Sequence, residues 1–469
     1  MKVLRRSGLP ALVFCLIFGP FLFEAPAEAR GFVRGISDGL LIDPDPGTRN
    51  TWLNRARDAR AGVVRLDVHW SDLTRTRPKH PSDPEDPAYD FTSLDQGVIG
   101  AKVRGMEVLL TVFHAPSWAE GPGRPAWAPV GSWKPAPKAF GEFVTALARR
   151  YSGNHRGLPR VRQFEAWNEP NLSDYLTPQR IGRKVTSPGL YRRLANSMYR
   201  AVHRVHRDNV VVVGATGPYG DPSGRKRIRP VEFLRRLFCL KDRKRLRRDR
   251  CRARVHLDVL SHHPINTSGG PDRSALSPDD ASTPDLGRVI RVLRAAERRK
   301  TVLPNGRRQV WVTEFWWKSN PPDLRDGVSP IRQARRIEEA LHSFWAQGAR
   351  VAIYFLISDR PYIKGGGPSF AGIGLYYANG RPKPGFRAFR FPFVVRRLGR
   401  RTITVWMIPP RAGTMRIEVK QGRRWRTVAV RKVRSGRVLQ IRFRQASVAR
   451  ARALRARVGQ ARSVVWPLR

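Results

Sequence analysis

Acidic residues are scarce in this chain of 469 residues, and that shortage dominates its charge. Asp and Glu total 37 against 89 Lys and Arg, which gives a formal net charge of +52. Such a chain is attracted to polyanions, namely nucleic acid, anionic lipid or acidic polysaccharide. No nucleic-acid-binding motif accompanies the charge, so no specific nucleic-acid partner is expected. The alternative is an arginine-rich composition spread over solvated faces.

Cysteine is also scarce, and the three cysteines form no cluster with histidine at zinc-binding spacing. The sequence therefore predicts no metal site, and no cofactor is expected. Cys15 lies in the amino-terminal apolar segment. Cys239 and Cys251 flank a basic stretch, and their spacing is compatible with either a disulfide bond or two free thiols.

A long apolar run occurs only at the amino terminus. Basic residues precede an apolar stretch over residues 9–23, and small residues in an A-x-A pattern follow, which predicts a signal peptide over residues 1–29. An uncleaved anchor is the alternative, although the stretch is short and contains Gly19 and Pro20. The expected mature protein is secreted or associated with the cell surface, and it is not transmembrane.

Short β-rich runs alternate with amphipathic stretches between residues 31 and 394. Each run is apolar enough to be buried on both faces, which is typical of parallel strands joined by helices. Eight such units predict a closed (β/α)8 barrel, with an open doubly wound sheet as the alternative. The absence of a glycine-rich phosphate loop argues against a nucleotide-binding sheet. The predicted strands are near 35–41 and at 62–70, 106–115, 161–169, 209–217, 256–264, 308–317 and 350–359.

The pattern changes near residue 395, where short alternating strands separated by glycine turns begin. Residues 395–469 are expected to form a small all-β, sandwich-like domain. Residues 396–469 contain 22 Lys and Arg but a single acid, Glu418. Two interpretations fit this composition: a packing or spacer domain, and an electrostatic attachment to an anionic cell-wall polymer.

Two glutamates are expected at matching ends of the barrel strands, where active sites of this fold form. Glu169 ends predicted strand four within FEAWNEPNL, and Glu314 ends predicted strand seven within VWVTEFWW. Two carboxylates that face one cleft suit glycoside hydrolysis, because one can protonate the leaving oxygen while the other attacks the anomeric carbon or activates water. Glu169 and Glu314 are therefore predicted to be catalytic. Glu165 is expected to be a buried, paired carboxylate that supports the barrel.

Other side chains at the same strand ends are candidates for substrate binding. Arg65 would keep the nucleophile ionised, Asn168 would bond a sugar 2-hydroxyl, and Trp316 would offer an apolar face to a sugar ring. His114 and His263 end predicted strands three and six. Structural alternatives exist for several of them, since Arg65 suits a buried ion pair and His114 suits a core histidine.

The segment WNEPN at 167–171 resembles the acid/base motif of the clan A glycoside hydrolases, the (β/α)8 retaining enzymes that include families 5 and 39. In that clan an Asn-Glu pair ends strand four and a nucleophilic glutamate ends strand seven. Asn168, Glu169 and Glu314 match this pattern. The resemblance implies that Glu169 is the acid/base and Glu314 the nucleophile. It also implies active-site positions for the strand-two arginine and for the two histidines.

The sequence departs from that clan at two positions. Many members have a tyrosine shortly after the strand-six histidine, and Pro264 and Ile265 take that place here. Many also have a tryptophan that ends strand eight and forms the floor of the sugar site. This chain reads IYFLISD there, so Tyr354, or else Phe355, is the expected substitute.

These patterns together predict an exported retaining glycoside hydrolase that acts on a polysaccharide or oligosaccharide. A non-catalytic carbohydrate- or cell-wall-binding protein on a degenerate glycosidase barrel is the first alternative. A nucleic-acid-binding protein is the second, and it rests on charge alone.

Overall fold

The computed structural model describes residues 31–361, 370–399, 402–444, 448 and 451–468. The predicted signal peptide lies outside these residues. Within residues 31–361, eight parallel strands close into a barrel, and each strand pairs with its neighbours in chain order until the eighth pairs with the first. The predicted (β/α)8 barrel is therefore confirmed, and the open-sheet alternative is wrong. The strands are β1 (Val33–Ser37), β2 (Val63–His69), β3 (Glu107–Phe113), β4 (Gln163–Ala166), β5 (Val210–Thr216), β6 (Val259–His262), β7 (Gln309–Phe315) and β8 (Val351–Phe355).

Amphipathic helices connect these strands and cover the barrel. Proline occupies the first or second position of most of them, where its fixed φ suits a helix start and its missing N–H costs no hydrogen bond. The connecting helices are α1 (Pro46–Asp58), α2 (Thr92–Lys102), α3 (Pro137–Arg150), α4 (Ser187–Val205), α5 (Pro230–Leu237), α6 (Leu286–Arg298) and α7 (Pro330–Gln347). Helix α8 (Pro384–Arg390) follows the last barrel strand.

Several short elements lie in the connections. A one-turn helix spans Trp70–Leu73, and 3-10 turns span Gly39–Ile42, Ser117–Ala119 and Thr283–Asp285. Two-residue strands pair as Arg180–Ile181 with Lys184–Val185, Leu240–Lys241 with Arg247–Arg248, and Val255–His256 with Val302–Leu303.

The barrel interior changes from apolar to polar along the strand direction. Near the amino ends, an apolar cluster fills the interior. Its members are Val63, Leu109, Val212, Val259, Trp311, Val351 and Ile353. Because side chains alternate along a strand, the next inward positions on β2 and β3 are Arg65 and Thr111. Those side chains bond one another directly above the apolar layer. This polar layer supports the carboxyl ends of the strands.

The carboxy-terminal region contains antiparallel sheets, as expected. One sheet joins β9 (Phe393–Arg397), β10 (Thr402–Met407) and β13 (Leu439–Arg444). The other joins β11 (Gly413–Gln421), β12 (Arg424–Val433) and β14 (Ala453–Val458), and the pairs Ala461–Arg462 and Trp466–Pro467 add to β14. Apolar residues from both sheets share one buried cluster, so the sheets pack face to face. The predicted domain boundary at residue 395 falls inside β9.

Two remaining expectations concern cysteines and membrane spans. Cys239 and Cys251 are joined by a disulfide bond, with a Cα–Cα distance of 5.8 Å, which decides between the two alternatives. Among the described residues, no helix has both the length and the apolar character needed to cross a membrane.

Candidate active site

The carboxyl ends of strands three to five turn sharply. His114, Trp167, Glu169 and Ala215 adopt φ values of 55°, 65°, 36° and 41°. Side-chain-bearing residues rarely adopt this left-handed region, and such residues cluster at functional sites. Strand β4 consequently ends at Ala166. The prediction that a strand runs on to Glu169 was wrong, because the backbone leaves the sheet at Trp167.

His263 brings the two predicted catalytic glutamates together. Its Nδ1 atom lies 3.1 Å from Glu169 Oε1 and 3.7 Å from Glu314 Oε2. The two carboxylate oxygens therefore cannot be farther apart than the sum of these distances. Only 13% of the Glu169 side chain and 12% of the Glu314 side chain is exposed. Nε2 of His263 lies 3.1 Å from Thr313 Oγ1, which fixes the ring from the other side.

Arg65 is tied into the barrel by the polar layer beneath the cleft. Its Nε atom donates to Thr111 Oγ1 at 2.9 Å and to Glu165 Oε2 at 3.1 Å. The Thr111 hydroxyl also donates to Glu165 Oε2, at 2.9 Å. The side chains of Arg65 and Glu165 are both buried, so Glu165 is a paired structural carboxylate, as its position in the sequence indicated.

The far end of Arg65 faces the cleft. Nη2 donates to Asn168 Oδ1 at 2.8 Å, and Nη1 lies 3.0 Å from Asp67 Oδ1 and 3.6 Å from Glu314 Oε2. Arg65 occupies Oδ1 of Asn168, whereas the Nδ2 donors of this amide have no hydrogen-bond partner among the described residues. Arg65 thus combines the two roles considered from the sequence, since it is both a buried ion-pair partner and a neighbour of Glu314.

Burial and neighbouring charge set the titration of the central groups. Burial raises the pKa of Glu314 to about 7, although His263 and Arg65 act in the opposite direction and Glu169 and Asp67 add to the increase. For His263, burial alone would lower the pKa, but the charge of Glu314 and the hydrogen bond to Glu169 outweigh it and raise the pKa. Glu314 and the imidazole of His263 are close enough that protonation of one changes the pKa of the other.

His114 lies at the rim of the same site. Its Nδ1 atom is 3.4 Å from Nδ1 of His69, and its ring stacks on Tyr175 with centroids 5.7 Å apart. Burial and the neighbouring His69 lower the pKa of His114 to about 4, so its ring is neutral over most of the pH range. Unlike a core histidine, His114 is only partly buried.

Tyr175 is a site residue that sequence reasoning missed. Burial raises the pKa of its hydroxyl, and the charges of Glu169 and Glu314 raise it further, which locates the phenol in the field of both acids. The clan's usual tyrosine after strand six is absent here, and Tyr175 approaches from the β4–α4 loop instead. Its position six residues after Glu169 in NEPNLSDY was the available signal.

The tryptophans near the two glutamates differ in exposure. Trp316 is half-buried, whereas Trp317 and Trp167 are buried. Trp167 also donates from Nε1 to the Tyr175 carbonyl oxygen at 2.8 Å. Trp316 Nε1 has no hydrogen-bond partner among the described residues. Trp316 therefore remains the candidate for contact with a sugar ring.

Tyr354 does not face the cleft, and its predicted role in substrate binding was wrong. Val351 and Ile353 point into the barrel, so alternation turns Tyr354 outward towards the helices. Its side chain is buried, and its hydroxyl donates to the Ile373 carbonyl oxygen at 2.8 Å. Phe355, the next residue, points inward at the strand end and is partly exposed.

Metal binding would require several ligating side chains to converge within the described part of the chain. No group of three or more His, Cys, Asp or Glu side chains there is arranged to hold a metal ion. His262, next to His263, is held by Thr216 Oγ1 and the Ala281 carbonyl oxygen, both at 2.8 Å. It is therefore a structural histidine.

Comparison with known protein families agrees with this geometry. The family model described as Cellulase (glycosyl hydrolase family 5) matches residues 30–239, which span β1 to β5 and include Asn168 and Glu169. The predicted resemblance to the clan A glycoside hydrolases is confirmed. Glu314 lies beyond the matched residues, on the seventh strand of the barrel. No curated protein sequence matches the chain.

Solved glycosidase structures share the barrel fold of this chain. A family 39 glycoside hydrolase from the gut symbiont Bacteroides cellulosilyticus WH2 is 16% identical, with a TM-score of 0.54 over 89% of this chain and 82% of that one. A glucosidase from Croceicoccus marinus is 14% identical, with a TM-score of 0.51 over 89% and 94%. GH5_18 from Streptomyces cattleya, in complex with GlcNAc, is 15% identical, with a TM-score of 0.50 over 77% and 79%. At these identities the likeness shows the fold alone.

Proposed function

We propose that this chain is an exported glycoside hydrolase that cleaves O-glycosidic bonds of a polysaccharide or oligosaccharide by double displacement. The observation that carries the proposal is the contact of His263 Nδ1 with both Glu169 and Glu314. A clan A barrel on which both glutamates converge has the groups that glycoside cleavage requires, namely a proton donor and a nucleophile.

The spacing of the two acids favours a retaining mechanism. Retaining enzymes hold their carboxyl groups about 5–5.5 Å apart, and inverting enzymes hold them about 6.5–9.5 Å apart to admit a water molecule. Glu169 Oε1 and Glu314 Oε2 both lie close to His263 Nδ1, and the sum of the two distances is the largest separation they can have. This upper limit lies at the bottom of the inverting range. A direct attack by Glu314 therefore fits better than an attack by a water molecule between the acids.

The residues divide the reaction as follows. A Glu314 oxygen attacks the anomeric carbon while the bond to the leaving oxygen breaks and Glu169 donates its proton to that oxygen. Glu169 then removes a proton from water, which attacks the anomeric carbon and releases Glu314. Arg65 and His263 favour the ionised form of Glu314. The Nδ2 donors of Asn168 suit a sugar hydroxyl, and the half-buried face of Trp316 suits the sugar ring.

A screen for reducing-sugar release tests this proposal. The substrates are plant and bacterial polysaccharides and aryl glycosides, and wild type is compared with Glu169→Gln, Glu314→Ala and the control Glu107→Gln. Glu107 begins β3 at the opposite end of the barrel, with 51% of its side chain exposed. Release by wild type and the control, but not by Glu314→Ala, supports the proposal. An initial product whose anomeric configuration is opposite to that of the substrate would refute the double displacement.

A non-catalytic carbohydrate-binding barrel is the second candidate. It is favoured by the end of strand eight, which has no tryptophan and whose Tyr354 points away from the cleft. The Glu169→Gln variant separates the candidates, because it should abolish hydrolysis of polysaccharides, whose leaving group needs a proton, and leave polysaccharide binding intact. Binding without hydrolysis by the folded wild-type protein, across the whole panel, would favour the second candidate.

Export and attachment to an anionic cell-wall polymer form part of the proposal. Glu418, the one acid of residues 396–469, is occupied by Arg455 at 2.5 Å and Arg457 at 3.5 Å. The basic side chains of β12 are exposed, and none of them forms an ion pair with a described residue.

Sequencing the amino terminus of the secreted protein tests cleavage after residue 29. Salt-sensitive sedimentation with anionic wall fragments, lost when Arg424 and Arg426 are changed to Gln, tests the attachment.

A further inference from the structure

Two loops beside Glu169 carry a concentration of exposed positive charge. The β4–α4 loop contributes Arg183 and Lys184, and the β5–α5 loop contributes Arg225, Lys226 and Arg227. We call these five residues the basic rim. None of the five side chains forms an ion pair with any residue that the structure describes. Their charges are therefore directed to solvent or to a ligand.

The basic rim is fixed to the catalytic segment by main-chain contacts. The Ile228 N–H donates to the Asn171 carbonyl oxygen at 2.8 Å, and the Ser173 N–H donates to the Lys226 carbonyl oxygen at 2.8 Å. Residues 172 and 227 also form an antiparallel bridge. The β5–α5 loop thus lies along the residues that immediately follow Glu169, and the rim borders the site.

The acid within the β5–α5 loop does not offset this charge locally, because it is used to shape the loop. The Asp221 carboxylate accepts hydrogen bonds from the backbone N–H groups of Arg225 at 3.3 Å, Lys226 at 3.0 Å and Arg227 at 2.6 Å. It therefore holds the backbone of the basic triplet and leaves the three side chains free. On the β4–α4 loop, Asp174 is exposed and reduces the charge by one.

We infer that the basic rim binds anionic groups of the substrate, so that the glycan is an acidic polysaccharide bearing carboxylate, sulfate or phosphate groups. This inference rests on the proposed function, because it assigns the substrate class of the same site. Charges that border a cleft raise the local concentration of an oppositely charged ligand and bind it in a salt-dependent way. Neutral glucan or mannan chains would gain nothing from the rim.

The chain contains a matched control for this inference. Arg243, Lys244 and Arg245 repeat the triplet Arg-Lys-Arg and are equally exposed, but they lie on the disulfide-closed hairpin between Cys239 and Cys251. The rim variant changes Arg225, Lys226 and Arg227 to Gln, and the hairpin variant makes the same three changes at residues 243–245. Both variants lose the same charge, so any difference between them reports position.

Binding is measured by affinity electrophoresis of the full chain in gels that contain polygalacturonate, dextran sulfate, a teichoic acid or neutral hydroxyethyl cellulose. The three anionic gels distinguish carboxylate, sulfate and phosphate groups. The rim variant should lose about tenfold in affinity for at least one anionic glycan, as expected for three exposed ion pairs. The hairpin variant should stay within about twofold of wild type. Raising the salt concentration from about 50 mM to about 200 mM should reduce the difference in affinity between wild type and the rim variant.

Three outcomes would overturn the inference. Equal losses in the rim and hairpin variants would mean that overall charge, not the rim, attracts the polymer. Equal retardation of wild type by the neutral and anionic gels would exclude charge recognition. Binding of the rim to duplex DNA more tightly than to every acidic glycan at the same salt would point to nucleic acid. Hydrolysis of aryl glycosides by wild type is scored separately, so a failure of the proposed activity is distinguishable from a failure of the rim.

Discussion

Gly217 lies directly against the carboxylate of Glu169. A Cβ atom at residue 217 would be 3.1 Å from Glu169 Oε1 and 3.0 Å from Leu172 Cδ1. Both contacts are tighter than ordinary van der Waals contacts, so Gly217→Ala should displace the proposed proton donor. A displacement of about 1 Å costs about 100-fold in rate, and we expect a loss of that order in kcat/KM with little change in Tm.

Gly189→Ala is the control for this prediction. Gly189 lies in the first turn of α4, and an added Cβ would meet nothing within 4 Å. That variant should retain wild-type kcat/KM. Full activity in Gly217→Ala would show that the position of Glu169 tolerates the added methyl group, or that Glu169 is not the proton donor.

Arg65→Lys tests the ion pairs under the cleft. A lysine ammonium cannot reproduce the planar fork that serves Thr111, Glu165 and Asn168 at once. The buried carboxylate of Glu165 would then be only partly compensated. Complete removal of the partner of a buried charge costs about 3–5 kcal/mol in the free energy of unfolding. We expect a large part of that loss in denaturant unfolding, together with at least about 100-fold lower kcat/KM.

The matched replacement Arg57→Lys lies on the surface of α1, where 52% of the arginine side chain is exposed. It should change the free energy of unfolding by less than about 0.5 kcal/mol. Wild-type stability and activity in Arg65→Lys would mean that a point charge is enough at this position and that the hydrogen bonds of the fork are dispensable.

The pH dependence of kcat/KM reports the charge around Glu314. As the proposed nucleophile, Glu314 must be ionised, and burial raises its pKa to about 7, so activity should rise with pH through that value. Glu169 raises this pKa by charge repulsion, and Glu169→Gln removes the repulsion. The acidic limb of the kcat/KM profile of Glu169→Gln should therefore lie at lower pH than that of wild type. The measurement uses an aryl glycoside whose leaving group needs no proton, so that loss of the acid does not mask the limb.

The control Glu107→Gln, at the amino end of β3, should keep the wild-type profile. A limb that stays in place in Glu169→Gln would mean that Glu169 and Glu314 are not coupled. A limb that moves to higher pH would mean that Glu169 favours the ionised form of Glu314, contrary to the charges described here.

Much of the barrel and the convergence of the two glutamates proposed to be catalytic were predictable, because periodicity locates the strands and their ends. Buried apolar runs locate parallel strands, and the polar residues at their carboxyl ends meet at one face of the barrel. Glu169, Glu314 and Arg65 were found in this way, and so was the structural pairing of Glu165. None of these required knowledge of the loops.

The wrong predictions concern residues beyond the strand ends, and one residue whose side of the strand was assigned incorrectly. The turn at Trp167 carries Glu169 beyond the end of β4, and no pattern in the sequence indicates its positive φ. Tyr354 was predicted to face the cleft, but Ile353 points into the barrel, so the alternation of side chains along β8 turns Tyr354 outward. Tyr175 reaches the site from an irregular loop, whose path depends on tertiary contacts.

Glu338 offers a test of stability that is independent of catalysis. Its side chain is buried in α7, where Oε1 accepts a single hydrogen bond of 3.3 Å from the Phe393 N–H and Oε2 has no partner among the described residues. Burial raises the pKa of this carboxyl well above its ordinary value of 4.5. The folded protein therefore keeps a proton on Glu338 that the unfolded chain loses.

Stability should consequently fall as pH rises above the ordinary pKa of glutamate, by up to about 1.4 kcal/mol for each pH unit until the folded-state pKa is reached. Glu338→Gln is neutral at every pH and lacks this contribution. The variant should gain free energy of unfolding relative to wild type between about pH 5 and about pH 8, as measured by urea denaturation. A difference between the two proteins that is constant over this range would show that Glu338 is ionised in the folded state. A difference that shrinks as pH rises would show in addition that a partner stabilises its charge.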